Sequence, residues 1–476
     1  MELLPTEILE KILTCPTIAY TDVLSFAATC TRFRDVGDKN DIWRIKFRRT
    51  FGRLYPKILT ELAKRSQALV EWRVELRRRV VTGVTMNREV AAMSPRLFQE
   101  AELSTTDFAV FDDMLVGHNP GQSLVPLYMV DSLLEVLDGG QEEQLTEKFY
   151  ARKVLVHVQQ RLMAATVREV WPVLGGGGCG VRGHEEVLVL VARWCQPTTD
   201  LQQAEVSARL EGMVGKVLAH LLPTHPHLAI FQLSSQQQED RVTVDLTLPP
   251  SMPGELAASL WGDAECRVIL DAINHVLYEV EGLQGNTDDY YNPHNSFIDR
   301  VLATGLGIPI TLCLLYTSVA RRLGLLASPV NSPGHFLLRW EAREGDAAYI
   351  DAFDRGLRLT YAQARARVPQ LVVEERSYLA ASPGDCARRM LRNLVSIGAS
   401  RSSSMRDSSY TLLRSALELM LMVEAVDTVQ FAFMLSRVYL QLNINQEEVK
   451  ALLEPHRDNP GLADQVCKHR VANMTC

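Results

Sequence analysis

Apolar residues recur at helical spacing along most of the chain, and one stretch shifts to the short, turn-bounded pattern of strands. Pro5 suits the first turn of a helix, where its missing N–H costs nothing. Ile8, Leu9, Ile12 and Leu13 then share one face until Pro16 ends the run. Thr21 or Asp22 can cap a second helix with Val23, Leu24, Phe26, Ala27 and Cys30 on its apolar side, and Asn40 or Asp41 a third with Ile42, Trp43 and Phe47. Three short helices in residues 1–50 bury little surface, so this unit should lean on a partner or on the following domain.

Residues 51–253 read as a helical middle region. Phe149 to Val170 is a long periodic segment that should stop before Pro172. The Gly-rich run from Gly175 to Gly183 lacks the Gly-Lys-Ser/Thr ending of a phosphate loop and reads as a linker. RVTVDLTL, between Gln236 and Pro250, alternates like a strand. Residues 254–384 differ: helix, helix, a central helix starting near Pro309, then SPVNSPGHFLLRW and AAYIDAF as two strands around a turn at Glu344-Gly345-Asp346. Residues 385–476 return to helix, with RSSSMRDSS as a loop between the first two, and resemble tetratricopeptide-type hairpins. The predicted fold class is mainly α with one α+β domain.

Composition changes this picture little. The chain has 476 residues, 47% hydrophobic and 22% charged, with a net charge of −7. A pI near 5.9 gives no global reason to expect nucleic acid or an anionic membrane as a partner. From Arg44 to Arg79, however, twelve Lys/Arg stand against three acids, read here as solvated helix faces. Glu2, Glu7, Glu10 and Lys11 interrupt any signal-like apolar region. The apolar stretch from Ile308 to Ala320 falls short of the roughly 20 residues that span a bilayer. Nine scattered cysteines read as reduced thiols of the cytoplasm or nucleus. Cys467 and His469 lack a second ligand pair, so no zinc, and no other metal or cofactor, is expected.

The first block resembles an F-box. The residues that carry this are Leu4-Pro5, Ile8-Leu9, Cys30-Thr31-Arg32-Phe33 and Trp43. The resemblance implies docking on the Skp adaptor, and through it on the cullin and RING subunit of a ubiquitin ligase. Leu4, Pro5, Ile8, Leu9, Ile12 and Trp43 are the expected adaptor-binding residues.

A second constellation is chemical in character. Thr311 or Cys313, His335 and Asp351 come one after another in the order nucleophile, base, acid. Placed about the turn, His335 and Asp351 should share one face of a hairpin, where the carboxylate can fix the imidazole tautomer. A helix N-terminus facing them would lower a thiol pKa. Thr311 and Cys313 are rotated by about 200° from each other, so both cannot face His335. With Leu314, Tyr316 and Ala320 nearby, Cys313 also fits the ordinary role of a packed core thiol.

Asn295-Ser296, Gly307 to Leu312, Arg321 to Gly324, Pro333 to Phe336 and Ile350 to Phe353 resemble the SirB-type family, which has a transglutaminase-like fold. That family usually carries Ser or Thr where transglutaminases carry Cys, here Thr311, with His335 and Asp351 at the other triad positions. The resemblance implies a largely non-catalytic use of the fold. The whole arrangement is similar to F-box proteins that carry a SirB-type domain, with Asp288 to Asn292 and His335 to Trp340 the most specific shared pieces. Such proteins continue into a β-rich domain similar to bacterial hemimethylated-DNA-binding proteins. This sequence runs to Cys476 without it, as a shortened paralogue or truncated form would.

Two functions are expected. One is a substrate receptor of a cullin–RING ubiquitin ligase, holding an unknown client with the SirB-type and helical regions. In an extension of it, the degenerate cleft serves as a recognition pocket. The other is an acyl-transfer enzyme of the transglutaminase or cysteine-protease class, using Cys313 or Thr311 with His335 and Asp351.

Overall fold

The structure, a computed structural model, describes residues 4–64, 70–116, 123–139, 145–175, 183–236, 259–332, 334–342, 348–368, 380–402, 407–424 and 428–456. The turn at Glu344-Gly345-Asp346, the RVTVDLTL segment, Pro333, most of the Gly-rich run and Cys467-His469 lie outside the described residues. The chain divides into two compact units, Met1–Leu162 and Met163–Cys476.

The first unit opens with helices α1 (Thr6–Leu13), α2 (Tyr20–Ala27), α3 (Thr31–Gly37) and α4 (Asn40–Thr50). Four helices stand where the periodicity predicts three. The extra one, α3, starts inside the Cys-x-Arg-aromatic segment, because Phe33 and Val36, three residues apart, both turn inward. Arg32 explains the arginine of that segment: its guanidinium donates to the Leu4 carbonyl at 2.6 Å and ties α3 to the start of α1. Phe26 and Phe33 stack at 4.2 Å between ring centroids.

Five more helices complete the core of this unit: α5 (Tyr55–Lys64), α6 (Trp72–Leu97), α7 (Ala109–Val116), α8 (Val125–Asp138) and the first part of α9 (Leu145–Gly175). Phe47 packs on Trp72 at 5.3 Å and on Tyr128 at 6.4 Å. Asn40, read from sequence as a possible cap, instead clamps the chain entering α6, donating to Val70 O at 2.7 Å and accepting from Trp72 N at 2.8 Å. Buried Arg79 donates to Asp131 at 2.7 Å, pairs with Glu135 and lies 4.6 Å from the Phe51 ring. A second cluster, from Met86 and Met93 to Phe111, Met129 and Val154, fills the space among α6, α7, α8 and α9. Helix α9 runs through Pro172 to Gly175 instead of stopping before it. The proline falls in the last turn, where the missing N–H removes a single hydrogen bond.

The second unit contains α10 (Gly183–Cys195), α11 (Gln203–Leu221), α12 (Ala229–Gln236), α13 (Asp263–Asn274), a π-helical turn over His275–Val280, α14 (Ile298–Thr304) and α15 (Pro309–Arg322). Strands β1 (Gln284–Gly285) and β2 (Leu306–Gly307) make a short parallel pair before α15. Strands β3 (Ala327–Val330), β4 (Leu337–Trp340), β5 (Ala348–Asp351) and β6 (Leu357–Leu359) form an antiparallel meander in that order. The SPV segment is thus a strand of its own, and the two-strand reading undercounts the sheet. Leu337 and Leu338 are both buried because the sheet is covered on both sides. Leu338, Trp340 and Ile350 join the main core with α15, while Val330, Leu337, Tyr349 and Leu359 pack with Ala364 of α16 (Tyr361–Arg367).

Local devices hold α15 in place. Pro309 occupies its first turn. At its end Arg322 donates to Glu185 at 2.5 Å and Ser207 at 2.9 Å, pinning α15 to α10 and α11. Gly324 has φ +76°, and a Cβ there would lie 2.9 Å from the Trp261 indole, so only glycine fits.

Helices α17 (Pro383–Ser402), α18 (Asp407–Val423), α19 (Thr428–Gln441) and α20 (Gln446–Leu453) close the described chain. Gly398 meets Leu413 and Arg388 meets the Val423 carbonyl, so α17 and α18 run antiparallel. The loop read over RSSSMRDSS is shorter than predicted, since Arg401–Ser402 and Asp407–Ser409 are helical. The described residues are mainly α with one α+β region. Among them, no helix is long and apolar enough to cross a membrane.

Candidate functional site

Two places bring the predicted residues together, one in each unit. In the first, α1 divides its apolar residues. Leu9 is 1% exposed and Leu13 4%, whereas Ile8 is 41% exposed and Ile12 38%. Leu24 of α2, at 41%, also faces outward. Pro5 is exposed and Leu4 half-buried. The sequence reading put Leu9 and Trp43 among the surface contacts, and this needs correction. Trp43, 1% exposed, donates its indole N–H to Gly37 O at 2.7 Å inside the unit's own core. Leu9 and Trp43 support the ridge from beneath. Helical spacing grouped Ile8 with Leu9 but could not say which side of the pair faces in. Buried Lys46 adds rigidity, its ammonium donating to the carbonyls of Cys15 and Ile18 in the connection between α1 and α2.

In the second unit, Asp351 ends β5 while His335 lies in the bend just before β4 rather than on a strand, with His335 Nε2 2.9 Å from Asp351 Oδ2. The register pairs Leu338 with Ile350, so the chain entering β4 runs beside the end of β5, and the bend there brings the His335 ring within reach of Asp351. Asp351 is buried and fully engaged. It also accepts from the backbone N–H groups of Phe353 at 3.1 Å and Asp354 at 3.2 Å, and from Arg367 at 2.8 Å. Burial pushes this carboxyl up, but the His335 hydrogen bond and charge, the Asp354 N–H and Arg367 outweigh it and hold it below its ordinary value. Arg367 is a partner that sequence reading missed. It lies on α16, sixteen residues beyond Asp351, and no local pattern announces the return.

An aromatic wall flanks the pair. Phe353 meets His335 edge-on at 6.3 Å and Tyr290 at 6.1 Å. Gly285 permits this, because a Cβ there would sit 2.5 Å from the Phe353 ring. The 288–292 segment is shaped by two asparagines: Asn286 donates to Asn295 Oδ1 at 3.0 Å, and Asn295 donates to the carbonyls of Asp289 at 2.8 Å and Tyr290 at 3.2 Å.

Neither candidate nucleophile is joined to His335. Thr311 is fully buried, and its hydroxyl has no hydrogen-bond partner. Ser296 is in the same position. The Cys313 thiol is also fully buried and donates to the Phe336 carbonyl at 3.5 Å. Burial pushes this thiol well above its ordinary value, and the nearby Asp351 carboxylate adds to the effect. This thiol therefore takes the packed core role that the sequence also offers it, and burial disfavours its charged form. Among the described residues, no group of three or more His, Cys, Asp or Glu could hold a metal ion.

Residues 1–49 match the F-box-like family. Residues 234–392 match the transglutaminase-like superfamily. F-box only protein 21 of Pongo abelii is 29% identical over 462 residues, 95% of this chain and 67% of that protein. F-box only protein 21 of Homo sapiens is 28% identical over 456 residues, 94% of this chain and 65% of that protein. The chain thus spans about two thirds of the length of these relatives. A UPF0162 protein of Xylella fastidiosa (strain 9a5c) is 40% identical over 97 residues, 20% of this chain and 34% of that one. No solved structure matches the chain.

Proposed function

We propose that this chain is the substrate-recognition subunit of an SCF ubiquitin ligase, a non-catalytic adaptor acting in the cytoplasm or nucleus. The F-box block docks on the Skp adaptor, which links it to a cullin and a RING subunit. The transglutaminase-like and helical regions hold the client, and proximity to a charged conjugating enzyme does the rest. The observation that carries this reading is the outward-facing pair Ile8 and Ile12 on α1, with Leu24 of α2 also exposed, on a unit whose core is sealed by Leu9, Leu13 and Trp43. Exposed aliphatics grouped on one small unit mark a protein-binding surface. Co-purification with the Skp adaptor tests it. Ile8→Glu with Ile12→Glu should abolish capture while the thermal midpoint is kept, and undiminished capture would sink the proposal.

One observation favours a second reading. The His335–Asp351 pair, at 2.9 Å, is the base-and-acid half of an acyl-transfer site. That reading needs Cys313 as a thiolate or Thr311 within reach of the imidazole. Labelling of Cys313 by a substrate-mimicking thiol-reactive probe, lost in His335→Ala, would support it. Loss of client capture in His335→Ala, with adaptor binding intact, would instead assign the pair to recognition.

A further inference from the structure

Helix α6 carries a surface that neither site uses. Its inner face holds Trp72, Leu76, Arg79, Met86, Val90 and Met93. On its outer side stand three exposed valines: Val74 at 43%, Val81 at 56% and Val84 at 66%. Val74, Arg78, Val81 and Thr85 fall at helical spacing along one stripe. That stripe forms one wall of a groove of about 480 Å³, with Met114 of α7 and Val125 of α8 on the other side and Arg77 and Arg78 at its rim. Clefts of about 300–1,000 Å³ accept compact apolar groups.

Charge selects the occupant. No acid is among the groove's lining residues. Arg77 makes no hydrogen bond or ion pair among the described residues, and Arg78 reaches only Glu75, at 2.6 Å, whose other oxygen accepts from Tyr128 at 2.7 Å. Asp112, beside the groove on α7, is taken up by His157 at 2.8 Å and Arg161 at 3.0 Å. The basic run from Arg44 to Arg79 ends here. A second copy of the chain fits poorly, because a two-fold contact would set Arg77 and Arg78 against their own equivalents.

We propose that this groove docks an acidic peptide segment bearing aliphatic side chains, with the aliphatics on Val74, Val81 and Val125 and the carboxylates on Arg77 and Arg78. It deepens the receptor role proposed above by giving the client a chemistry, and rests on that role only for its biological purpose. Basic rims of this kind pair with acidic partners and raise their rate of encounter.

The test uses the full chain and two fluorescent helical peptides, with leucine at i, i+4 and i+7 and either glutamate or lysine elsewhere, monitored by anisotropy. The glutamate peptide should bind at least tenfold tighter than the lysine peptide, and its affinity should fall as salt rises. Val81→Asp should weaken it at least fivefold. Arg77→Glu with Arg78→Glu should weaken it at least tenfold and let the lysine peptide bind instead. All three substitutions lie on exposed positions, and because Arg78→Glu also removes a partner of buried Glu75, circular dichroism and the thermal midpoint are read on each variant, with Arg77→Glu alone as the variant that leaves Glu75 paired. Equal affinity for the two peptides, or glutamate-peptide binding untouched by these variants, would overturn the proposal. So would a dimer in sedimentation velocity that Val81→Asp dissolves, which would give the groove to a second copy. Skp adaptor capture, scored on the same variants, should be unchanged, so failure of the groove and failure of the receptor role read out separately.

Discussion

Two helices of this protein treat their side chains in opposite ways. In the N-terminal unit, α1 buries one half of an apolar set and leaves Ile8 and Ile12 in water. In the second unit, α15 buries every residue from Pro309 to Ala320, the Thr311 hydroxyl and the Cys313 thiol included. The first arrangement forgoes burial that a partner can supply. The second gives up the hydration a thiolate needs and gains a packed central helix. A ridge that is apolar and open fits protein binding. At the other site the base and acid are paired while the thiol is buried and its pKa raised, so the outline of a triad persists around a desolvated sulfur.

The contrast can be pressed hardest at the supports of the ridge. Trp43→Ala should cost about 3–5 kcal/mol and Leu9→Ala about 2–5 kcal/mol, read from denaturant unfolding. The neighbouring Ile8→Ala should stay within about 0.5 kcal/mol while weakening adaptor capture. Equal losses at positions 8 and 9 would erase the distinction between ridge and core.

Asp351→Asn comes next, at about 1–3 kcal/mol, because the buried side chain exchanges an oxygen that accepts from His335 and Arg367 for an amide that donates, while Arg367 keeps Asp354. The sign with pH comes from the lowered carboxyl. Asp351 adds stability above its unfolded value, near 3.9, and that stability is lost as pH falls through the lower folded value. The gap between the parent protein and Asp351→Asn should therefore narrow only below about pH 4. A gap that closes near neutrality would remove the carboxylate's role.

His184 gives an effect of similar kind at milder acidity. Burial pushes its imidazole down to about 3, with Arg321 adding to the shift, so it stays neutral when folded. The unfolded chain takes up a proton below about pH 6.5, so stability should fall by about 1.4 kcal/mol per pH unit from there downward. Replacing His184 by glutamine should remove this slope from the pH profile. The smallest effect is at Cys313: iodoacetamide should leave it unmodified in the folded protein at pH 8, as peptide mapping would record. Rapid modification would mean that the thiol is neither buried nor neutral.

Much of the fold was legible in the sequence because local chemistry acts over a few residues. Pro309 marked the start of α15, and Leu4-Pro5 the start of α1. The spacing of His335 and Asp351 about a turn brought the two within hydrogen-bond reach, with His335 just outside the strand. The features that sequence reading missed have a common cause. Arg367 reaches Asp351 from another element, α3 arises where two inward residues meet their neighbours, and Leu9 parts from Ile8 only because the core lies on one side of α1. Each depends on where distant segments pack, which periodicity does not encode.

The sequence by itself determined the helical order, the strand-bearing region and the residue types from which each site is built, since capping, proline and spacing act at short range. Only the tertiary structure decided which apolar residues face water and which nucleophile is sealed away. Burial is a property of the assembled neighbours, and it is burial that leaves Ile8 open to a partner and keeps the Cys313 thiol protonated.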